Sequence, residues 1–181
     1  MVEFAVALPL LVVFVVGIFD FSGAFTLKQK LTNAARNAAR AAAAEPSNDL
    51  DAAVPVSVKD AFGTIDNYLK ANQINDCGIG LGSVSAARPV WTYSSTGSGC
   101  ASAGLTITIN RGYYFPATAS AQPANINCTH QGVGSQMTVI ATCVSIQYGY
   151  PWRFGQAAGL LGANTMLPST ITATAVAMNE N

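Results

Sequence analysis

The feature that most constrains this chain is an uncharged apolar run near its N-terminus. From Phe4 to Phe19 the sequence reads FAVALPLLVVFVVGIF, without an acidic or basic residue. As an α-helix this run covers about 24 Å, slightly less than the hydrocarbon core of a bilayer. Continuing to Leu27 lengthens it to about 36 Å, with Asp20 as the one charged interruption. The segment is therefore predicted to span a membrane and, because acids flank the run, to stay uncleaved rather than act as a signal peptide.

The helix is predicted to continue beyond this span. The stretch KQKLTNAARNAARAAAAE after Leu27 is rich in alanine and contains no Gly or Pro. A helix over about residues 2–44 would be roughly 65 Å long, so its second half must leave the bilayer. The alanine face, with Arg36 and Arg40 four residues apart, is predicted to pack against a globular head and neighbouring helices. An isolated surface helix, selected only for alanine's helix propensity, is the alternative.

Two residues of the apolar segment have special chemistry. Pro9 removes a backbone donor, which predicts a kink or local loosening around residues 5–9. Glu3 places a carboxylate at the edge of the run, where a charge is costly unless it is paired. We predict that it pairs with an N-terminal amine, its own or that of the next subunit. The alternative is that Glu3 rests at the level of the lipid headgroups.

The rest of the chain predicts an α+β head. Residues 46–57 form a connector, and Val58–Ile74 carries apolar residues at helical spacing. Segments that alternate apolar residues with Thr, Ser or Gln predict three strands of an antiparallel sheet, and they are Leu105–Arg111, Gln136–Tyr148 and Ser169–Met178. The Gly- and Ser-rich stretches GIGLGSVSAA and SSTGSGCASAG are predicted loops. The predicted organisation is a membrane or filament-core segment (1–27), an amphipathic alanine-rich helix (28–45) and a head (46–181).

Four cysteines lie in the polar part of the chain, which suits an oxidising compartment and two disulfides. They are Cys77, Cys100, Cys128 and Cys143. Of the three connectivities, Cys77 with Cys100 and Cys128 with Cys143 closes the shortest loops, but the sequence leaves the choice open. Zinc is the alternative, although there is no C-x-x-C pair and His130 is poorly spaced for a tetrahedral site.

Composition and motifs argue against several functions. Nine basic and nine acidic residues balance, so no net charge favours nucleic acid. Only 10% of residues are charged and half are hydrophobic, which predicts a surface that meets something other than water. The GIGLG stretch lacks the G-K-[ST] of a phosphate loop, and His130 has no nucleophile at motif spacing. We therefore predict a protein that is not an enzyme and binds neither a cofactor nor a metal.

The N-terminal sequence VEFAVALPLLVVFVVGIFDFSGAFTLKQKLTNAARNAARAAA resembles the signature of TadE-like pilus-assembly proteins. It has the V-E-F opening, the A-L-P-L-L run, an acid followed by an aromatic residue, and the L-T-N-A-A-R-x-A-A-R stretch. The residues at pattern positions beyond the merely apolar ones are Glu3, Pro9, Asp20, Asn33, Arg36 and Arg40. The resemblance covers about the first 44 residues. The tail, VSIQYGYPWRF and ITATAVAMNEN, is similar more loosely.

The resemblance implies a single-pass inner-membrane protein, processed like a prepilin shortly before Glu3 and handed to a Tad-type assembly machine. The main hypothesis is a structural subunit that forms an extracellular helical filament of identical copies at the bacterial surface. In that case Glu3, Pro9, Asp20, Arg36 and Arg40 would set assembly and register. The alternative is a minor pseudopilin that stays in the inner membrane or primes a pilus made of another subunit. A membrane-anchored binding module is a third hypothesis.

Overall fold

A long helix with a small α+β head makes up the fold in the computed structural model. The structure describes residues 2–46, 48, 50–97, 99–116, 128, 137–153 and 167–180, without side chains at 2–6, 114–116 and 137–139. Helix α1 (Val2–Ala44) has the predicted bounds and runs through Pro9. Its 43 residues are about 65 Å long. The helix ends where the uninterrupted alanine run gives way to Glu45 and Pro46, because a residue before proline disfavours helical geometry.

The second helix, α2 (Val56–Ala71), begins directly after Pro55 and is slightly earlier than the predicted Val58–Ile74. Its buried side chains recur at helical spacing and include the predicted stripe residues Ala61, Phe62, Ile65 and Leu69. The helix stops before Ile74 because Gln73 takes a left-handed conformation, with φ of 55°. The apolar stripe thus predicted which face of α2 is buried, but not the residue at which the helix ends.

The head contains one antiparallel sheet with five strands in sequence order. The strands are β1 (Val84–Ala87), β2 (Val90–Ser95), β3 (Leu105–Pro116), β4 (Met137–Gly149) and β5 (Thr170–Met178). The sheet confirms the predicted antiparallel α+β head, but it has five strands where the sequence predicted three. Strand β1 lies inside the stretch predicted as a loop, because its four residues have little alternation of their own and are held by pairing with β2.

Both helices cover the same face of the sheet, and the side chains on that face become smaller from β2 to β5. Cross-strand partners form the row Trp91, Ile109, Val144 and Ala175 from β2 to β5, all buried. Helix α2 covers the bulky side, where Phe62 and Tyr93 have ring centroids 4.4 Å apart. Helix α1 packs against α2, β4 and β5. Alanines on both surfaces allow α1 and β5 to approach closely, as predicted for the alanine face.

Two disulfides fasten the head, and they join the cysteines that close the shortest loops. Cys77 is bonded to Cys100, with Cα atoms 5.6 Å apart, which ties the segment after α2 to the turn between β2 and β3. Cys128 is bonded to Cys143 of β4 over 5.4 Å. The second bridge belongs to a small buried cluster with Tyr113 and Ala141, separate from the main core. In the chain-entropy account each bridge of this loop size contributes about 3 kcal/mol.

Candidate functional site

The first half of α1 exposes a large apolar surface. The exposed large side chains between residues 8 and 25 are Leu8, Leu10, Leu11, Val12, Phe14, Val15, Ile18, Phe19, Phe21 and Phe25. Phe19 is 74% exposed. A contiguous apolar surface of this kind marks contact with a membrane or another protein. By length and composition, α1 can cross a membrane.

The first described hydrogen bonds between α1 and the head are those of Asp20. This carboxylate is buried, with 7% of the residue exposed. Its Oδ2 accepts a hydrogen bond of 2.8 Å from the backbone N–H of Arg153, and its Oδ1 lies 3.2 Å from the Tyr150 hydroxyl. The same hydroxyl is 3.1 Å from the backbone carbonyl of Asp20. The one acid within the apolar segment is therefore partnered within its own chain by the segment that follows β4.

Aromatic rings complete this junction. Phe21 and Trp152 have ring centroids 5.3 Å apart, and Tyr150 and Trp152 meet edge to face at 4.8 Å. Trp152 donates its indole N–H to the carbonyl of Pro168 over 2.6 Å. We call Asp20, Phe21, Gly23, Tyr150, Trp152 and the backbone of Arg153 the Asp20 clasp.

The absence of a side chain at Gly23 leaves room for the Tyr150 hydroxyl in the clasp. A methyl group there would lie 2.9 Å from the Tyr150 hydroxyl oxygen. Partial burial, and secondarily the neighbouring Asp20 carboxylate, raise the pKa of Tyr150. The phenol therefore stays protonated and able to donate to Asp20 at neutral pH.

Beyond the clasp, the lysines of α1 bind backbone carbonyls of the head. The ammonium of Lys28 donates to the carbonyl of Thr172 in β5. Lys30 reaches the carbonyl of Asn72, just after α2, over 3.5 Å. Lys28 and Lys30 thus connect α1 to the sheet and to the segment after α2.

Arg111 fastens the C-terminal end of α1. It is fully buried, and its guanidinium donates to the carbonyls of Ala42, Glu45 (2.8 Å) and Pro46 (3.3 Å), at the end of the helix. It also donates to the Thr142 hydroxyl over 2.9 Å. The last carbonyls of a helix have no intrahelical donor and carry partial negative charge, so a cation there is favourable.

Sequence reasoning missed the role of Arg111, although a signal was present. Leu105, Ile107 and Ile109 alternate on the buried face, and the same period places Arg111 on that face. A cation at a core position needs several acceptors. The register shift in β3 between Asn110 and Tyr113 lies at this position, as expected where a bulge directs a side chain.

The structure describes only some of the predicted site residues. Pro9 lies within α1, whereas the side chain of Glu3 and the whole of His130 lie outside the described part of the chain. Arg36 and Arg40 are exposed, and neither forms an ion pair with the part of the chain that is described. The GIGLG stretch ends in a short 3₁₀ turn, Leu81–Ser83, which leads into β1 rather than into the helix of a phosphate loop.

The described part of the head offers few groups for catalysis or metal binding. All four cysteines are in disulfides. Within the described ranges, no three His, Cys, Asp or Glu side chains lie close enough to hold a metal ion. The features with distinct chemistry are therefore the exposed apolar helix, the Asp20 clasp and the Arg111 anchor.

A long helix that exposes an apolar half and buries its other half in an α+β head fits the class of pilin-like components. The comparison of sequences supports this class: residues 1–40 match the family model described as TadE-like protein. The match confirms the resemblance over the N-terminal helix. No curated protein and no solved structure matches the chain.

Proposed function

We propose that this chain is a structural subunit of an extracellular Tad-type filament and that it polymerises through the apolar half of α1. The observation that carries the proposal is the set of ten large apolar side chains exposed between residues 8 and 25. Water is a poor environment for this surface. Lipid would cover it in the inner membrane before assembly, and the same helices of other copies would cover it in the filament.

Polar groups would set the register of the filament. Moving an apolar helix from lipid into a helix bundle gains little hydrophobic free energy, since both surroundings are apolar. Close packing and the few polar groups must then fix the axial position of each copy. Glu3, paired with an N-terminal amine, is the proposed determinant within the filament core.

Charges on the outer face of α1 would act at a second contact. Arg36 and Arg40 are exposed one turn apart, whereas the exposed acids Asp51 and Asp60 lie on the head. Opposite charges favour a contact between the helix of one copy and the head of another, although exposed pairs each contribute only about 0.2–1 kcal/mol.

Variants of Glu3 test the core contact in cells that carry the Tad-type machinery. Glu3→Ala and Glu3→Gln should both insert into the membrane normally and both lose filaments. Membrane insertion is measured by extraction, and filament yield by electron microscopy of sheared surface material with identification of the chain. Wild-type filament yield from Glu3→Ala would show that Glu3 does not set the register.

Charge reversal tests the outer contact. The double variant Arg36→Glu with Arg40→Glu should reduce filament yield, whereas Lys59→Glu, an exposed residue of α2, should not. If the chain is never found in sheared filaments and stays in the membrane fraction, the function is that of a minor pseudopilin instead.

A further inference from the structure

We propose that the membrane boundary of the unassembled subunit lies at Asp20 and that Tyr150, Trp152 and Arg153 form a collar at the level of the lipid headgroups. The inference rests on the proposed function only in taking α1 to be inserted in a bilayer. It shortens the predicted membrane segment, residues 1–27, by about two helical turns.

The first argument is the irregular backbone beside Asp20. Residues 150–153 follow β4 without helix or strand structure, and the backbone N–H of Arg153 donates a hydrogen bond to Asp20. Lipid-exposed irregular backbone does not occur in the hydrocarbon region, because its polar groups would lack partners. Pro151 and Arg153 are exposed. The depth of Asp20 is therefore tied to that of a segment that must lie outside the hydrocarbon.

The second argument is length. The uncharged part of α1 between Glu3 and Asp20, residues 4–19, is about 24 Å long, and local thinning of the bilayer accommodates a segment a few ångströms shorter than its core. If the boundary were at Leu27, Asp20 would lie about 10 Å inside the hydrocarbon and would bring Arg153 with it. A guanidinium at that depth costs several kcal/mol.

The third argument is the surroundings of α1 on the two sides of Asp20. On the N-terminal side, Ile18 and Phe19 are 68% and 74% exposed. On the C-terminal side, Ala24 is buried and Lys28 binds the head, while Phe25 remains 64% exposed. The side of α1 that the head covers cannot also face lipid, so on that side the transition between the two environments falls at the clasp.

The residues of the collar match the chemistry of the headgroup region. Tyr and Trp are enriched at membrane interfaces because they combine an apolar ring with a polar group, and Arg is attracted by lipid phosphates. Trp152 is half-buried and next to the exposed Arg153. The only other tryptophan, Trp91, is fully buried in the core of the head and provides an internal reference.

Fluorescence quenching by labelled lipids measures the depth of Trp152. The full chain is reconstituted in phosphatidylcholine–phosphatidylglycerol vesicles that carry a nitroxide at the headgroup, at a shallow acyl carbon or at a deep acyl carbon. Quenching should be strongest with the headgroup and shallow labels and weakest with the deep label. In Trp152→Phe this lipid-dependent quenching should be lost, because the emission that remains comes from Trp91.

A variant of the clasp gives a second measurement. Asp20→Ala should reduce quenching by the headgroup label while vesicle flotation stays unchanged, and Glu180→Ala, at an exposed acid after β5, should leave quenching as in the wild type.

The outcomes separate the collar from membrane anchoring. Strong quenching by the deep label, or quenching only by aqueous acrylamide in a chain that floats with the vesicles, overturns the collar and leaves anchoring intact. Failure of the chain to float, or its removal by alkaline extraction, overturns both.

Discussion

Arg111 connects the end of the long helix to the sheet through one side chain. Its guanidinium donates to three carbonyls at the C-terminus of α1 and to a hydroxyl of β4. Arginine suits this position because its planar group presents five N–H donors in a fixed geometry. The head is thus held on α1 near both ends of their contact, by Arg111 at one end and by the Asp20 clasp at the other.

Replacing Arg111 should destabilise the protein strongly. In Arg111→Met the carbonyls at the helix end lose a buried donor, and we expect a loss of about 3 kcal/mol or more in the free energy of unfolding. Arg111→Lys should lose less, since it keeps the charge but reaches fewer acceptors. Urea unfolding of the detergent-solubilised chain, followed by tryptophan emission, measures both. Arg88→Met, at an exposed arginine between β1 and β2, is the control. A wild-type midpoint for Arg111→Met would contradict the anchor.

At the scale of the element, α1 has two different surfaces along one helix. Its first half exposes large apolar side chains. Its second half buries small side chains against the head, and Ala35, Ala38 and Ala42 are fully buried. Small side chains bring the helix axis close to β5, where Ala173 and Ala175 face it. A larger residue at these positions would push the helix off the sheet, because packed interiors tolerate added volume poorly.

Two helical glycines should respond in opposite ways to the same substitution. A methyl group at Gly63 in α2 would meet no atom within 4 Å, so Gly63→Ala should stabilise the protein by about 0.5–1 kcal/mol through helix propensity. At Gly23 the methyl would displace the Tyr150 hydroxyl and weaken the Asp20 clasp. We therefore expect Gly23→Ala to lower the urea midpoint. If both variants raised it equally, the contact of Tyr150 with α1 would contribute nothing.

At the scale of the whole molecule, the head and the part of α1 that it covers share one hydrophobic core, and we expect them to fold as one unit. Ala24 and Leu27 pack in or against this core, and Asp20 makes the first described hydrogen bonds of α1 with the head. Eight of the ten large exposed apolar side chains lie before Asp20, and Phe21 and Phe25 lie after it. A truncation that preserves the unit must therefore keep the clasp.

Two truncations test where this unit begins. We expect removal of residues 1–27 to leave a soluble, monomeric head, because α2, the sheet and both disulfides remain. We expect removal of residues 1–19 to give a monomer as well, and a more stable one by roughly 2 kcal/mol, because the hydrogen bonds to the Asp20 carboxylate remain. Light scattering gives the oligomeric state and urea unfolding the stability. Equal stability of the two would show that residues 20–27 add nothing to the head, and assembly of either into filaments would show that the apolar half is not the polymerising element.

The sequence by itself determined the features that depend on neighbouring residues. The bounds of α1 follow from an apolar run joined to an alanine run without Gly after Gly23, and the buried stripe of α2 follows from helical spacing. Strands β3, β4 and β5 follow from alternation. The resemblance to TadE-like proteins also needed only local pattern, since the matching model covers residues 1–40.

Tertiary structure decided what depends on residues far apart in the chain. The sequence left the connectivity of the cysteines undecided. The fold decides it, because it brings the Cα atoms of the two pairs to 5.6 and 5.4 Å, a distance that a disulfide spans. Strand β1 exists because β2 offers it hydrogen-bonding partners. Asp20 and Arg153 are separated by 133 positions, and Arg111 and Ala42 by 69, so no local pattern relates them. The physical reason is that a buried charge is stable only where the fold assembles its acceptors or donors around it.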